Sequence, residues 1–215
     1  MSRTHWRRVV WGVALVLIGG MGWMADGLAQ EAKSKVTIKQ ILIDRRKTPS
    51  YNGAFSFPGA RAYQDWIQIL CEYQTTNGQG RGADGKLGWH DEVTIEWSVL
   101  LRRKDLKDIL LHRSVTYVDV EDKRATHYAD IYLRPGFITR YAKDVTPRDI
   151  YVYAQIKVNG QTEARKRIDR EDVKWFDWEM PKVIVNNNEL LTRDETPFAP
   201  LDYDLYEQTK KATRE

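Results

Sequence analysis

The sequence predicts an all-β protein of two packed sheets, and three observations carry that expectation. Runs in which apolar and polar residues alternate recur along the chain, most clearly at Trp66–Gln74 and Val93–Leu101, and period two means half-buried strands. Turn signals, chiefly Asn77–Gly88, Pro135-Gly136 and Asn159-Gly160, separate these runs at roughly ten to fifteen residues, the spacing of sandwiches and barrels. No long stretch beyond the first thirty residues repeats its apolar positions with helical period.

Composition agrees with a folded core. Hydrophobic residues make up 42% of the 215 and charged residues 30%, too apolar for a disordered chain. Arg3, Arg7 and Arg8, set against Asp26, account for +2 of the net +4, so the basic balance is not that of a nucleic-acid binder. Arg102-Arg103-Lys104 and Arg165-Lys166-Arg167 are closely followed by acidic residues and read as solvated strand ends and turns. Met1–Ala29 has the layout of a secretory signal peptide: a positive start, an apolar Val9–Met24, and Gly27-Leu28-Ala29 at the cleavage subsites. Cleavage after Ala29 would leave no stable transmembrane anchor. A retained anchor is the alternative, since the 16-residue apolar run falls just short of the about 20 that span a bilayer. Cys71 is the single cysteine, so no internal disulfide forms and the fold must rest on its own core.

The elements follow in order. Lys35–Asp44 is a first strand whose apolar phase changes between Ile38 and Ile41, the mark of a bulge or a fully covered strand. A long connection, Arg45–Arg61, carries Tyr51, Phe55 and Phe57. The strands Trp66–Gln74 and Val93–Leu101 present Ile67, Ile69, Cys71 and Tyr73, and Val93, Ile95, Trp97 and Val99, to a common core, with the glycine-rich loop between them read as a hairpin tip. A ligand loop is the other reading of Asn77–Gly88, but a phosphate cradle needs a helix next, and a strand follows. Leu106, Ile109 and Leu110 fit a helical turn or a strand start. Ser114–Val120 and Ala125–Leu133 form a hairpin about the charged Glu121–Arg124, and Phe137–Lys143 crosses to the next sheet. Ile150–Val158 and Gln161–Ile168 flank Asn159-Gly160, a type I′ hairpin signature. A short strand at Lys182–Val185 precedes Leu190–Tyr206, where Pro197 and Pro200 prevent a helix and favour an extended path.

Strands of this number and spacing indicate an immunoglobulin-like β-sandwich with an extended C-terminal tail. Asp149-Ile150-Tyr151-Val152-Tyr153 resembles the approach to the tyrosine corner of such domains, and Cys71 with Trp97 resembles their core cysteine and tryptophan. The expected organisation is a signal peptide over 1–29, the sandwich over 30–170, and an aromatic, proline-containing extension over 171–215 that packs on the sandwich or on a partner. The whole layout, with the segment Thr196-Pro197-Phe198-Ala199-Pro200-Leu201, resembles small exported immunoglobulin-like proteins of Verrucomicrobia such as Akkermansia, encoded beside type IV pilus and secretion components. That resemblance implies a structural or interaction protein of the periplasm or outer membrane, or one released outside the cell.

The chemistry-bearing residues point away from an enzyme. His5, His90, His112 and His127 lack metal-ligand spacing, there is no Gly-x-Ser-x-Gly elbow, and Cys71 sits on the apolar face of its strand, where it reads as a small hydrophobe. No catalytic residue, metal ligand or cofactor is assigned. Binding is assigned to Trp89, Trp175 and Trp178, and to Phe198, Leu201 and Tyr203 of the tail. Two functions remain: a module that binds envelope or pilus and secretion proteins through a sheet edge or its tail, and a glycan-binding module that stacks sugars on its tryptophans.

Overall fold

A computed structural model describes residues 35–49, 64–76, 88–104, 106–122, 126–168, 184–185 and 188–210, all within the unit Ala32–Glu215. The readings for Met1–Ala29, for Tyr51, Phe55 and Phe57, for the glycine-rich loop up to Leu87, and for Trp175 and Trp178 fall outside those residues.

Among the described residues ten strands fall into two sheets: β1 (Lys35–Lys47), β2 (Asp65–Thr76), β3 (Trp89–Leu101), β4 (Ile109–Glu121), β5 (His127–Leu133), β6 (Ile150–Val158), β7 (Gln161–Ile168), β8 (Ile184–Val185), β9 (Leu190–Thr192) and β10 (Gln208–Thr209). The first sheet runs β1-β2-β5-β9 and the second β10-β4-β3-β6-β7, with β8 added to β4. All pairings within these two orders are antiparallel; β8 alone joins its strand in parallel. β1, β2 and β5 stand as strands A, B and E of an immunoglobulin-like sandwich do, and β3, β6 and β7 as C, F and G. The all-β sandwich expected from the sequence is the observed fold.

The two inner faces supply the core. Ile67, Ile69, Cys71 and Tyr73 of β2 face Val93, Ile95, Trp97 and Val99 of β3, all buried, with Trp97 1% exposed. The β1 register slips between Ile38 and Gln40, and this bulge lets Ile41 point inward like Val36 and Ile38. At Asn159-Gly160 both residues have positive φ, 49° and 78°, as a type I′ turn requires.

Two hairpin readings are corrected. β2 and β3 lie in opposite sheets, so the glycine-rich stretch joins sheets and is no hairpin tip. Their two apolar faces are buried by packing face to face across the core, which side-by-side pairing would not achieve. β3 pairs instead with β4. β4 and β5 are likewise in different sheets, since Glu121–Arg124 is a charged crossover without the residues of a tight I′ turn. The crossing after β5 is made by a short helix, α1 (Pro135–Tyr141), which buries Pro135, Phe137 and Ile138; proline at its first turn gives up only an N–H that would lack a helical partner. The tyrosine corner does not form: Tyr153 Oη donates to Gln155 Oε1, 3.1 Å away and two residues on.

Candidate functional site

The C-terminal segment returns over its own sandwich and builds the most elaborate polar site of the described residues. Alternation in β2 and β5 sends Gln68, Asp130 and Tyr132 to the outer face of the first sheet, yet all three are buried. β9 pairs with β5, Thr192 opposite Ile131, and the chain then turns through Arg193–Glu195. That turn is a capping box: the Glu195 carboxylate accepts the Thr192 N–H at 2.7 Å and its hydroxyl at 3.1 Å. The box aims Arg193 inward.

Asp130 Oδ2 accepts three hydrogen bonds, from Tyr132 Oη at 2.6 Å, Gln68 Nε2 at 2.8 Å and Arg193 Nη1 at 2.8 Å. Tyr132 Oη in turn accepts from Arg193 Nη1 at 2.9 Å and Gln68 Nε2 at 3.0 Å. Arg193 Nη2 donates to the Leu201 carbonyl at 2.6 Å, and the guanidinium lies 3.6 Å from the centroid of the Tyr206 ring. Burial raises the Asp130 carboxyl above its ordinary range, against the pull of Tyr132 and Arg193; burial also pushes the Tyr132 phenol far up. The phenol therefore stays a neutral donor, and the guanidinium is the charge that offsets the carboxylate.

Aromatic packing completes the lock. Phe198 stacks on Tyr132 with ring centroids 4.9 Å apart and planes 11° apart, and Trp66 meets both rings edge-on. Farther along, Tyr206 bridges to Tyr128, and Glu207 Oε1 lies 2.6 Å from Nδ1 of the buried His127, whose Nε2 meets Thr75 Oγ1 at 3.2 Å. β10 then pairs with β4 in the second sheet.

Between the β4 edge and this returning segment lies a cleft of about 1430 Å³. Arg113–Asp119 form one wall, and Thr192–Glu195 with Glu207–Lys210 form the other. Arg113 bridges the walls, Nη2 reaching the Glu195 carboxylate at 3.0 Å and 3.1 Å. Burial works to raise Glu195, but the Thr192 amide and Arg113 overcome it and hold the carboxyl below its ordinary value.

Of the residues assigned from sequence, four lie among the described residues. Trp89 opens β3, 41% exposed, on the rim of the cleft. Phe198 is buried against the outer face of the first sheet, and Leu201 is half-buried with its carbonyl taken by Arg193. The backbone of Tyr203 lies in a short 3-10 turn, Tyr203–Leu205. Sequence reasoning passed over Gln68, Asp130, Tyr132 and Arg193. The signal that could have found them is Thr192-Arg193-Asp194-Glu195, a capping-box pattern among prolines, together with an aspartate between tyrosines on an otherwise apolar strand.

Cys71 is buried in the core, and burial pushes its thiol up to about 12, which leaves it unreactive as a nucleophile at neutral pH. Among the described residues no group of His, Cys, Asp and Glu side chains could hold a metal ion, and no helix is long and apolar enough to cross a membrane.

No match is found among curated proteins. A crystal structure of a protein from Akkermansia muciniphila is similar in fold, with a TM-score of 0.69 over 84% of this chain and 95% of that one, at 20% identity. This chain belongs to the protein family whose profile matches residues 27–213, a span running from ahead of β1 to past β10.

Proposed function

We propose that the chain is a non-enzymatic, exported structural module that binds other proteins, and that it works in the periplasm or at the outer membrane as part of a type IV pilus-like or secretion assembly. The observation that carries the protein-binding reading is the way the C-terminal segment is spent. β9, Arg193 and Phe198 are committed to the first sheet and β10 to the second, and what they frame is an open cleft along a strand edge. Gln68, Asp130, Tyr132 and Arg193 are hydrogen-bonded to one another, an arrangement that holds shape. The placement in a pilus-like assembly rests on the resemblance of the layout and of Thr196–Leu201 to exported verrucomicrobial proteins.

The test is a cross-linked pull-down of the intact chain from its native envelope, read by mass spectrometry. Reproducible capture of pilus or secretion components is the expected result; capture of none, with the bait folded and exported, rejects the reading.

A further inference from the structure

We infer that the basic cleft beside the β3–β4 turn is a docking site for a segment of another protein that carries aspartate or glutamate next to an apolar side chain. This rests on the protein-binding reading above and names a surface and the chemistry of the partner.

The cleft, of about 580 Å³, lies between two connections. One wall is the turn from β3 to β4, with Arg102, Arg103, Lys104, Leu106 and Asp108; the other is Tyr141–Val145, between α1 and β6, with Asp149. The walls are tied to each other. The Arg102 N–H donates to the Asp149 carbonyl at 2.9 Å, and Arg103 Nη1 reaches the Tyr141 carbonyl at 3.5 Å. A cleft braced in this way needs little ordering when a partner arrives.

Charge selects the occupant. Counted along the sequence, Arg102–Asp108 and Arg140–Asp149 hold seven cations against four carboxylates, a net +3, whereas the whole chain beyond Ala29 amounts to +2. Two carboxylates of the cleft are engaged locally. Asp108 lies 3.4 Å from Arg102 Nε and accepts the Arg103 N–H at 3.2 Å, and Asp149 accepts the Thr146 N–H and hydroxyl at 2.9 Å and 2.6 Å. The cations are less well matched. Arg103 Nε donates to the Lys107 carbonyl at 2.6 Å, a neutral group that leaves the guanidinium charge uncompensated. Lys104 and Lys143 are exposed and form no ion pair among the described residues, where Asp144 is the one carboxylate of the cleft left to oppose them. Positive charge gathered in a recess draws an acidic partner. Leu106 supplies the apolar part of the surface: it is 66% exposed, more than any other large apolar side chain among the described residues, and it lines the same cleft. A bilayer would meet Lys104, Lys143 and Leu106 but is too flat to enter the recess where the half-buried Arg103 lies. A carboxylate on a side chain enters it.

The probe is a fluorescein-labelled hexapeptide, Glu-Leu-Asp-Glu-Leu-Asp, titrated with the intact protein by fluorescence anisotropy. Expected are saturable binding that weakens as salt is added, no binding of the counterpart with lysine at each acidic position, and a loss of affinity of at least about tenfold in the double variant Lys104→Glu with Lys143→Glu. Leu106→Ser should lower affinity as well. A second double variant, Lys39→Glu with Arg165→Glu, makes the same change in net charge at exposed positions outside the cleft and should bind within about twofold of the wild type. Absence of saturable binding, binding of the lysine counterpart, unchanged affinity in the cleft variant or in Leu106→Ser, or an equal loss in the second double variant overturns the inference. So does co-sedimentation of the wild type with phosphatidylglycerol vesicles that the cleft variant loses, which would give the surface to a membrane. An envelope pull-down separates the two readings. If the cleft variant captures the same proteins as the wild type, the cleft is not the docking site while protein binding stands; if the wild type captures none, the functional reading fails whatever the peptide does.

Discussion

Arg193 Nη1 lies 2.8 Å from Asp130 Oδ2 on the outer face of the first sheet, with side chains 10% and 2% exposed. The pair joins residues 63 positions apart and makes the returning segment part of the fold. Removing one member of a buried ion pair leaves an uncompensated charge and costs about 3–5 kcal/mol. Arg193→Leu is therefore expected to lower stability by about that amount, while the double change Asp130→Asn with Arg193→Leu recovers a large part of it. Urea unfolding followed by tryptophan fluorescence measures both. A double variant as unstable as the single would show that packing of the long side chain, and not the charge, sets the cost.

Trp97 fills the centre of the sandwich, and its indole N–H has no partner among the described residues. Trp97→Ala should cost roughly 3–5 kcal/mol, as large-to-small core changes do. Trp97→Phe should cost clearly less, because it keeps much of the volume and removes an unsatisfied buried donor. Equal unfolding midpoints for the two variants would overturn this account of the core.

Two histidines should make acid weaken the fold, against the opposite contribution of Asp130, whose raised carboxyl holds its proton more readily in the folded chain. Burial lowers the pKa of His90 and of His112 below the ordinary imidazole value of 6.5. A group with a depressed folded pKa binds fewer protons when folded than when unfolded, so stability is full above pH about 6.5 and falls as pH drops below it toward the folded value. Glu195, also depressed, adds a loss of the same sign in the carboxylate range. Denaturant midpoints measured from pH 8 down to pH 5 should decline, and His90→Gln should flatten the decline; a midpoint that rises on acidification contradicts the sign.

How far the sequence could be read is shown by particular residues. Alternation alone located the inner faces of β2 and β3, the change of phase in β1, and the I′ turn at Asn159-Gly160, because each is decided within a few residues by the geometry of a pleated strand. Pairing across the sandwich was not legible. Cys71 and Trp97 show the same pattern whether their strands lie side by side or face to face, and which holds is settled by non-local packing. The site was less legible still. Asp130 and Gln68 occupy outward positions that ordinarily meet water, and only the arrival of Arg193 and Phe198 from the far end of the chain makes that face an interior.

The returning C-terminal segment also decides where the chain can be cut. Deleting Leu190 onward removes β9, takes a fully buried leucine from the core, and strips Asp130 of its only ion partner among the described residues, so that deletion should leave no cooperatively folded protein at ordinary temperature. A shorter cut behaves differently. Among the described residues, removing Gln208 onward takes away the two pairs of β10 with β4, the Lys210 N–H bond to the Thr116 carbonyl, and the side-chain contacts of Thr209 to Asp194 and of Lys210 to Glu92. Exposed ion pairs of this kind are worth about 0–1 kcal/mol, so the second truncation should unfold within about 1–2 kcal/mol of the full chain and keep its near-ultraviolet circular dichroism. Native-state thiol labelling gives a second readout. Cys71, buried in the core beneath the first sheet with its thiol pushed up to about 12, should stay unreactive toward a disulfide reagent at pH 8 in the full chain and in the short truncation, and react at once in the chain cut at Leu190. Rapid labelling of the short truncation would mean that β10, small as it is, holds the two sheets together.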